Sequence, residues 1–149
     1  MKVAVGSDHA GLSAKLRAVE ALEQLGCEVE DVGTYSDASV DYPDYAVEVA
    51  RRVAAQQAEL GVLCCGTGLG MSIAANKVPG IRAAVCHNDF TAEMARRHND
   101  ANVLCMGARV LDDRMIGEIV RRFVRTPFDG GRHTRRIKKI ASIERTPPC

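Results

Sequence analysis

Five short apolar runs, separated by longer amphipathic stretches, restrict the fold of this chain more than any other feature. The runs are bounded by Gly, Asp or Asn, and they cover residues 2–5, 27–32, 60–65, 82–86 and 102–106. Each run is too short for a typical helix, so each is predicted to be a strand. Strands that alternate with helices are joined by right-handed crossovers, so we expect a parallel sheet with helices on both faces.

The stretches between the runs carry helical spacing and end signals. Leucine and valine recur every three or four positions from Leu12 to Leu25, and Gly26 follows as a C-cap. Pro43 begins a second helix. Asp112 is predicted to N-cap a helix that ends at Thr126 and directs Ile116, Ile119, Val120 and Phe123 inward. Shorter helices are predicted over 71–77 and 89–97, and a last one over 132–143 directs Ile137, Ile140 and Ile143 to the body of the protein.

These elements predict a single three-layer α/β domain over residues 1–149, Rossmann-like, with the flavodoxin-like strand order 2-1-3-4-5. In that order the loops after strands one and three diverge at the switch point of the sheet, where ligands bind beyond the carboxyl ends. The two loops are residues 6–11 and 65–70. Segments that are far apart in the sequence are therefore expected to line one crevice.

Composition excludes some classes of function. Lys and Arg number 20 against 19 Asp and Glu, so the net charge gives no general case for a nucleic-acid partner. A basic cluster over 121–139 is the exception. The chain has no secretory signal and no apolar stretch of membrane-spanning length, so we expect a cytoplasmic protein with no membrane partner. Its six cysteines lack paired ligand spacing, so we expect no metal.

The third run ends at Cys65 and passes directly into the glycine-rich segment 66–70. Glycines let backbone N–H groups converge on a ligand, and the helix that follows would direct its first amides the same way. Those amides would also favour the thiolate form of Cys65. An isolated cysteine is more often a buried, inert thiol, and the glycine segment is what favours a functional one.

Other polar residues are candidates with simpler alternatives. Asp8 and His9 open the first helix, where Asp8 could act only as an N-cap. His98 lies at the end of the fourth helix, where a favourable interaction with the helix C-terminus would explain it. Arg132 and Arg136 share a helix face and could clamp one phosphate. Tyr42, Asn99 and Arg109 are candidates only if a ligand is present.

The glycine pattern G-x-G-x-G differs from the dinucleotide and P-loop motifs, so it gives little support to nucleotide binding. It suits proton transfer next to a carbonyl group. The thiolate would be the base, backbone amides would stabilise an enediolate oxygen, and arginines would bind a remote phosphate.

Six ordered motifs resemble one known family. They are Gly-Ser-Asp-His-Ala-Gly (6–11), Asp-Tyr-Pro (41–43), Cys-Gly-Thr-Gly-Leu-Gly-Met-Ser-Ile-Ala-Ala-Asn-Lys (65–77), Arg-His-Asn-Asp (97–100), Gly-Ala-Arg-Val (107–110) and Gly-Gly-Arg-His (130–133). The chain resembles the type B ribose-5-phosphate isomerases, in a sugar-phosphate isomerase family that also includes the galactose-6-phosphate isomerase subunits. The motifs span nearly the whole chain.

The resemblance implies cofactor-free interconversion of ribose 5-phosphate and ribulose 5-phosphate through an enediolate, in the pentose phosphate pathway. Cys65 would be the base and His98 the ring-opening group, with Asp8 near the same hydroxyls. The enediolate would be held by Gly66, Thr67, Gly68, Leu69 and Gly70. Tyr42 and Asn99 would contact the sugar, and the phosphate would be bound by His9, Arg109, Arg132 and Arg136.

His98 and Arg109 follow the fourth helix and fifth strand, which the predicted order places away from Asp8 and Cys65. The sequence and the resemblance therefore both favour a homodimer whose sites are shared between subunits. A hexose-6-phosphate isomerase acting on allose or galactose phosphates is the alternative within the same chemistry. A non-catalytic anion- or nucleic-acid-binding module and a thiol redox protein are the alternatives from other classes.

Overall fold

A computed structural model describes residues 1–145; the tail 146–149, for which the sequence predicts fraying, lies outside the described residues. Its centre is one sheet of five parallel strands. The strands are β1 (Lys2–Ser7), β2 (Glu28–Asp31), β3 (Leu60–Cys65), β4 (Ala83–Val85) and β5 (Val103–Gly107). The predicted Rossmann-like α/β class, with one parallel sheet and helices on both faces, is confirmed.

The strand order is 2-1-3-5-4, so the predicted order 2-1-3-4-5 is wrong in its last two positions. β5 consists of five buried residues and pairs with β3. β4 has only three residues, all partly exposed, and lies at the edge. A long buried strand gains more from a central position, whereas short strands are typical of sheet edges. The exchange places the carboxyl end of β5 directly beside that of β3.

Residues 1–145 form six helices: α1 (Leu12–Gln24), α2 (Tyr42–Ala54), α3 (Leu69–Ala75), α4 (Asp89–Asn99), α5 (Asp113–Arg125) and α6 (Arg132–Ile143). One core cluster contains the buried side chains of α1, α4 and α5, together with Val3, Val5 and Cys64 from the strands. The other contains those of α2 and α3 together with Ala4, Leu63 and Cys65. The alternation of side chains along β1 and β3 therefore divides the core between the two faces.

Two helix predictions are confirmed in detail. The carboxylate of Asp112 accepts a hydrogen bond from the amide of Met115 at 2.8 Å, which is N-cap geometry at the start of α5. The predicted inward face of α5, residues 116, 119, 120 and 123, is fully or almost fully buried. Pro43 lies in the first turn of α2, one residue after the helix begins at Tyr42.

The predicted apolar face of α1 is buried only in part. Leu22 is fully buried, but Leu16 is 58% exposed, and the helix also buries its alanines and one lysine, Lys15. Small side chains let the helix approach the sheet closely, so leucine spacing alone does not locate the buried face. The inward face of α6 is also wrong in part, because Ile140 and Ile143 are 43% and 71% exposed and His133 is the buried residue of that helix. Nowhere in residues 1–145 is a helix both long and apolar enough to cross a bilayer.

Candidate active site

Cys65 is the last residue of β3 and is 5% exposed. Its Sγ accepts a hydrogen bond from the backbone amide of Gly68 at 3.0 Å. Gly68 has φ of +82°, a left-handed conformation that glycine adopts without strain and that turns its N–H back toward the sulfur. An N–H that donates to sulfur stabilises negative charge there. The predicted pairing of a thiol with the glycine segment is therefore present in the geometry.

The neighbouring cysteine has a different environment. Cys64 and Cys65 lie in core clusters on opposite faces of the sheet, as the strand alternation predicts. Burial raises the pKa of Cys64 well above its usual value, and the charge of a Cys65 thiolate would raise it further. Burial likewise raises the pKa of Cys86 to about 12 and that of Cys105 well above the usual range. These three thiols are held in the protonated, unreactive form.

Glycines allow the loops after β1, β3 and β5 to pack closely against one another. A Cβ on Gly11 would lie 2.3 Å from the backbone carbonyl of Cys64, and a Cβ on Gly107 would lie 2.6 Å from the backbone of Thr67. Gly68 approaches the backbone of Met106 in the same way, where a Cβ would lie 3.1 Å away. Only glycine fits such close backbone approaches. The predicted meeting of the loops after β1 and β3 in one crevice is confirmed, and the loop after β5 joins them.

Asp8 and His9 lie on the β1 side of this crevice. The Asp8 amide donates to the carbonyl of Cys64 at 3.3 Å, and its carboxylate, almost fully buried, accepts from the amide of Gly11 at 2.9 Å. The Nδ1 of His9 accepts from the amide of Val40 at 3.2 Å. In a neutral imidazole the other nitrogen then carries the proton, so Nε2–H is the donor that His9 can offer an anion.

Tyr42 and Arg109 border the glycine segment in the same chain. The ring of Tyr42 lies 2.8 Å from the position that a Cβ on Gly70 would occupy, and the guanidinium of Arg109 lies 3.1 Å from that of Gly66. The expectation that Arg109 lies away from Cys65 within one chain is wrong. Its cause is the exchanged strand order, because β5 pairs with β3 and the amide of Arg109 donates to the carbonyl of Gly66 at 3.0 Å. We call this set the Cys65 crevice: residues 8, 9, 42, 65–70 and 109.

The remaining predicted residues form a second group at the ends of α4 and α6. The rings of His98 and His133 stack with centroids 4.3 Å apart, and Asp129 completes a set whose ligand atoms lie within 4.8 Å of one another. Arg132 and Arg136 lie on either side of His133 in the sequence of α6, and the positive charges of both lower the pKa of His133. We call this set the His98 cluster: residues 97, 98, 129, 132, 133 and 136. Asn99 is the last residue of α4, beside it.

This cluster lies toward the amino ends of the strands, whereas the Cys65 crevice lies at their carboxyl ends. A crossover helix runs antiparallel to the strands that it joins, so α4 ends near their amino ends. The side chain of Arg82, which directly precedes β4, accordingly donates to the carbonyl oxygens of Asn99 and Asp100 at 3.0 Å. One chain therefore does not bring His98 and Asn99 to Cys65.

The His98 cluster suits an anion better than a metal ion. The stacked rings are inclined by only 7°, so their lone pairs do not converge on one point. The guanidinium of Arg97 donates to both carboxylate oxygens of Asp129 at 3.1 Å and holds the pKa of Asp129 below its usual value. Burial, His98 and the two arginines lower the pKa of His133. The residues present do not fit a metal in this arrangement.

A groove of about 880 Å³ between α4 and α5 contains none of the predicted site residues. Its lining is charged with both signs, and ion pairs link Arg122 to Asp89 and Glu93 across it. Part of the basic cluster over 121–139 is therefore neutralised within the chain.

Sequence reasoning gave no role to His133, Asp129 or Lys15. His133 had a signal, because it is the last residue of the Gly-Gly-Arg-His motif (130–133). Asp129 and Lys15 had none, since charged residues at such positions are usually solvated.

Comparison with known proteins first gives the class. The chain belongs to the Ribose/Galactose Isomerase family, whose model matches residues 3–140. Among its relatives, ribose-5-phosphate isomerase B of Escherichia coli is 46% identical over 143 residues, which cover 96% of each chain. The structure is similar to ribose-5-phosphate isomerase B of Clostridium thermocellum, with a TM-score of 0.96, 49% identity and coverage of 97% of this chain and 98% of that one.

A second similar structure includes a ligand. It is ribose-5-phosphate isomerase B of Mycoplasma genitalium with bound ribulose 5-phosphate, with a TM-score of 0.93 and 43% identity over 98% of this chain and 97% of that one.

Proposed function

We propose that this protein is an aldose–ketose isomerase that interconverts ribose 5-phosphate and ribulose 5-phosphate. The observation that carries the proposal is the Cys65 thiol, held at 3.0 Å by the amide of Gly68 inside a glycine cradle. Family membership and the ribulose 5-phosphate complex of a relative support the same substrate.

Cys65 performs the proton transfer. Its thiolate removes the C2 proton of the open-chain aldose and gives an enediolate, and the thiol returns the proton to C1 as the hydroxyl proton moves from O2 to O1. The amides of Gly66 to Gly70 and the Thr67 hydroxyl stabilise the negative oxygen. Asp8, Tyr42 and Leu69 line the same crevice. These steps use only protein groups, so we propose no cofactor.

His98 opens the sugar ring, Asn99 contacts its hydroxyls, and His9, Arg109, Arg132 and Arg136 bind the phosphate. These residues lie at two edges of one chain, so we propose a homodimer in which the Cys65 crevice of one subunit meets the His98 cluster of its partner. Leu69 and Ile73 on α3 and Ile143 on α6 are 55%, 63% and 71% exposed, which supports an apolar contact with a second copy.

The shared site is tested by complementation. Inactive Cys65→Ala and inactive His98→Asn are refolded together in equal amounts, so about half of the dimers are mixed and each mixed dimer has one intact site. About a quarter of wild-type activity on ribose 5-phosphate should return. Absence of recovery in demonstrated heterodimers would place the whole site in one chain.

Substrate class is tested with a panel of ribose, allose and galactose phosphates, assayed with and without a metal chelator. We expect the highest kcat/KM on ribose 5-phosphate, unchanged by the chelator. The family model also covers galactose isomerases, so preference for a six-carbon phosphate would identify a hexose-6-phosphate isomerase instead.

We further propose one domain over residues 1–149, located in the cytoplasm and acting in the pentose phosphate pathway. We propose no nucleic-acid partner, because the net charge of the chain is close to zero and Arg122 of the basic cluster is engaged by Asp89 and Glu93. Steep salt-dependent retention on DNA, with no turnover of sugar phosphates, would contradict both proposals.

A further inference from the structure

Lys15 is a fully buried lysine that the proposed reaction does not use. Its Nζ donates to the carboxylate of Asp31 at 2.8 Å and to the backbone carbonyl of Thr34 at 2.6 Å. The ammonium also lies 4.8 Å from the ring centroid of Tyr35, in cation–π geometry. An ammonium has three N–H donors, and two oxygens and one ring face surround this one.

Such a burial is hard to explain as a stabilising device. Moving an ammonium out of water is costly, and a buried ion pair often contributes no more than apolar residues of the same size. Asp31 is itself partly exposed, with 28% of its side chain accessible. A buried charge that contributes little to stability can instead specify one arrangement of the chain around it.

The segment that Lys15 holds is bonded to the end of β1. The amide of Ser7 donates to the carbonyl of Gly33 at 2.7 Å, and the amide of Thr34 donates to the carbonyl of Ser7 at 2.9 Å. Asp31 also accepts from the amide of Gly33 at 2.8 Å. Lys15 thus bonds Asp31 and Thr34, which flank the two hydrogen bonds between this segment and Ser7. Ser7 directly precedes Asp8.

We propose that Lys15 is a positioning residue of the isomerase site, whose ammonium holds segment 31–35 against the end of β1 and so orients Asp8 toward the substrate hydroxyls. This inference rests on the proposed function. Lys15 does not touch substrate; it acts through the Ser7–Asp8 peptide.

The electrostatics of Cys64 agree with this placement. The positive charge of Lys15 opposes the rise in the pKa of Cys64 that burial causes, whereas the carboxylate of Asp8 adds to it. The charges of Lys15 and Asp8 therefore both act on the thiol that precedes Cys65.

The test is Lys15→Met, which keeps an unbranched side chain and removes the charge. Because misplacement of a reacting group by about 1 Å can cost ~100-fold in rate, we expect kcat on ribose 5-phosphate to fall by roughly 10- to 100-fold. KM should change less than kcat, since three of the four proposed phosphate ligands, Arg109, Arg132 and Arg136, lie outside the segment that Lys15 holds. In an Asp8→Asn background the same substitution should change kcat by less than about twofold, because two residues that act through one contact are not additive.

Backbone exchange gives a readout that does not depend on activity. In Lys15→Met the amides of Ser7 and Thr34 should exchange with solvent at least ~10-fold faster, while amides in the middle of α5 keep their wild-type rates. If Lys15→Met does not fold, Lys15→Met/Asp31→Asn removes both charges and carries the same expectations.

The matched control is Leu22→Ala, on the same helix and equally buried. It should lower thermal stability and leave kcat unchanged when assayed well below its Tm. Retained kcat in Lys15→Met, an equal loss in both Asp8 backgrounds, or unchanged exchange at Ser7 and Thr34 would overturn the inference. A wild-type protein without activity on any sugar phosphate would overturn the proposed function instead.

Discussion

The Cys65 crevice and the His98 cluster present reactive side chains in two different ways. The crevice is built from backbone: Gly11, Gly68 and Gly107 fit against neighbouring loops at distances that admit no side chain. The His98 cluster is built from side chains at helix ends, where two stacked imidazoles and an arginine–aspartate pair lie near the surface. The first region is fixed by the packing of the sheet, and the second by ion pairing and ring stacking among side chains.

This difference separates two parts of the proposed reaction. Proton transfer needs a base and an oxyanion donor held to within a fraction of an ångström, and the crevice has that rigidity in one chain. The proposed phosphate binding and ring opening use longer side chains, which in this chain belong to the His98 cluster. Substitutions in the two regions should therefore impair different steps of the proposed reaction.

The largest effect is expected at the base of the crevice. Cys65→Ala should lower kcat by the ~10²–10⁴-fold typical of a lost general base and leave the fold intact by circular dichroism. Cys64→Ala is the matched control, because its thiol lies on the opposite face and should be kinetically mild. Activity retained in Cys65→Ala would rule out the thiolate mechanism.

His98→Asn should separate ring opening from isomerisation. The variant should lose about 10²-fold or more on ribose 5-phosphate, as for a lost general acid–base group. It should keep most of its activity on erythrose 4-phosphate, which is too short to form the ring. Equal losses of kcat/KM on both substrates would assign His98 a structural role.

Arg136→Ala should weaken phosphate binding. A charged hydrogen bond contributes about 1.5–3 kcal/mol, so kcat/KM should fall by roughly 10- to 150-fold and inorganic phosphate should inhibit less. Arg135→Ala, at the preceding position of α6 and also exposed, should be close to wild type. Unchanged kcat/KM in Arg136→Ala would refute its assignment.

Gly11→Ala and Gly117→Ala should have opposite effects on stability. A Cβ at Gly11 meets backbone, so the free energy of unfolding should fall by about 1–3 kcal/mol and activity with it. Gly117 lies within α5, and a Cβ there meets only the flexible ends of the Arg17 and Arg121 side chains. Alanine at this position should therefore stabilise the protein by roughly 0.5–1 kcal/mol. Urea denaturation checks both predictions. Similar losses of stability at the two positions would contradict the close packing of Gly11 against the backbone of Cys64.

The smallest effect is a pH dependence of stability from the His98 cluster. The folded-state pKa of His133 is lowered from 6.5, so the unfolded chain binds the proton more readily. The free energy of unfolding should fall as the pH drops below about 6.5. Asp129, also lowered, acts only near and below its usual 3.8. Urea midpoints at pH 8 and pH 5 should therefore differ less in His133→Gln than in wild type, and equal differences would contradict the assignment.

The sequence predicted the sheet, its crevice and the opposite directions of Cys64 and Cys65, because alternation along a buried strand is a local property. It did not predict the order of β4 and β5, which depends on how much of each strand is buried by distant helices. Because β5 was predicted in the wrong position, the place of Arg109 beside the glycine segment was also predicted wrongly. The alanines and Lys15 on the buried face of α1 were also missed, because leucine spacing gave no sign that they lie inside.

The interlocking glycines also determine when this protein can acquire a site during synthesis. Their contacts join residue 11 to 64, and residues 67 and 68 to 107 and 106, so they link parts of the chain that are made at different times. Contacts of such high sequence separation form late in folding. A nascent chain that has emerged only through α4 has Cys65 but no β5 to hold its loop, and its thiol is that of an ordinary unfolded cysteine. The cradle, and with it any selective reactivity of Cys65, arises only after residue 107 has joined the sheet.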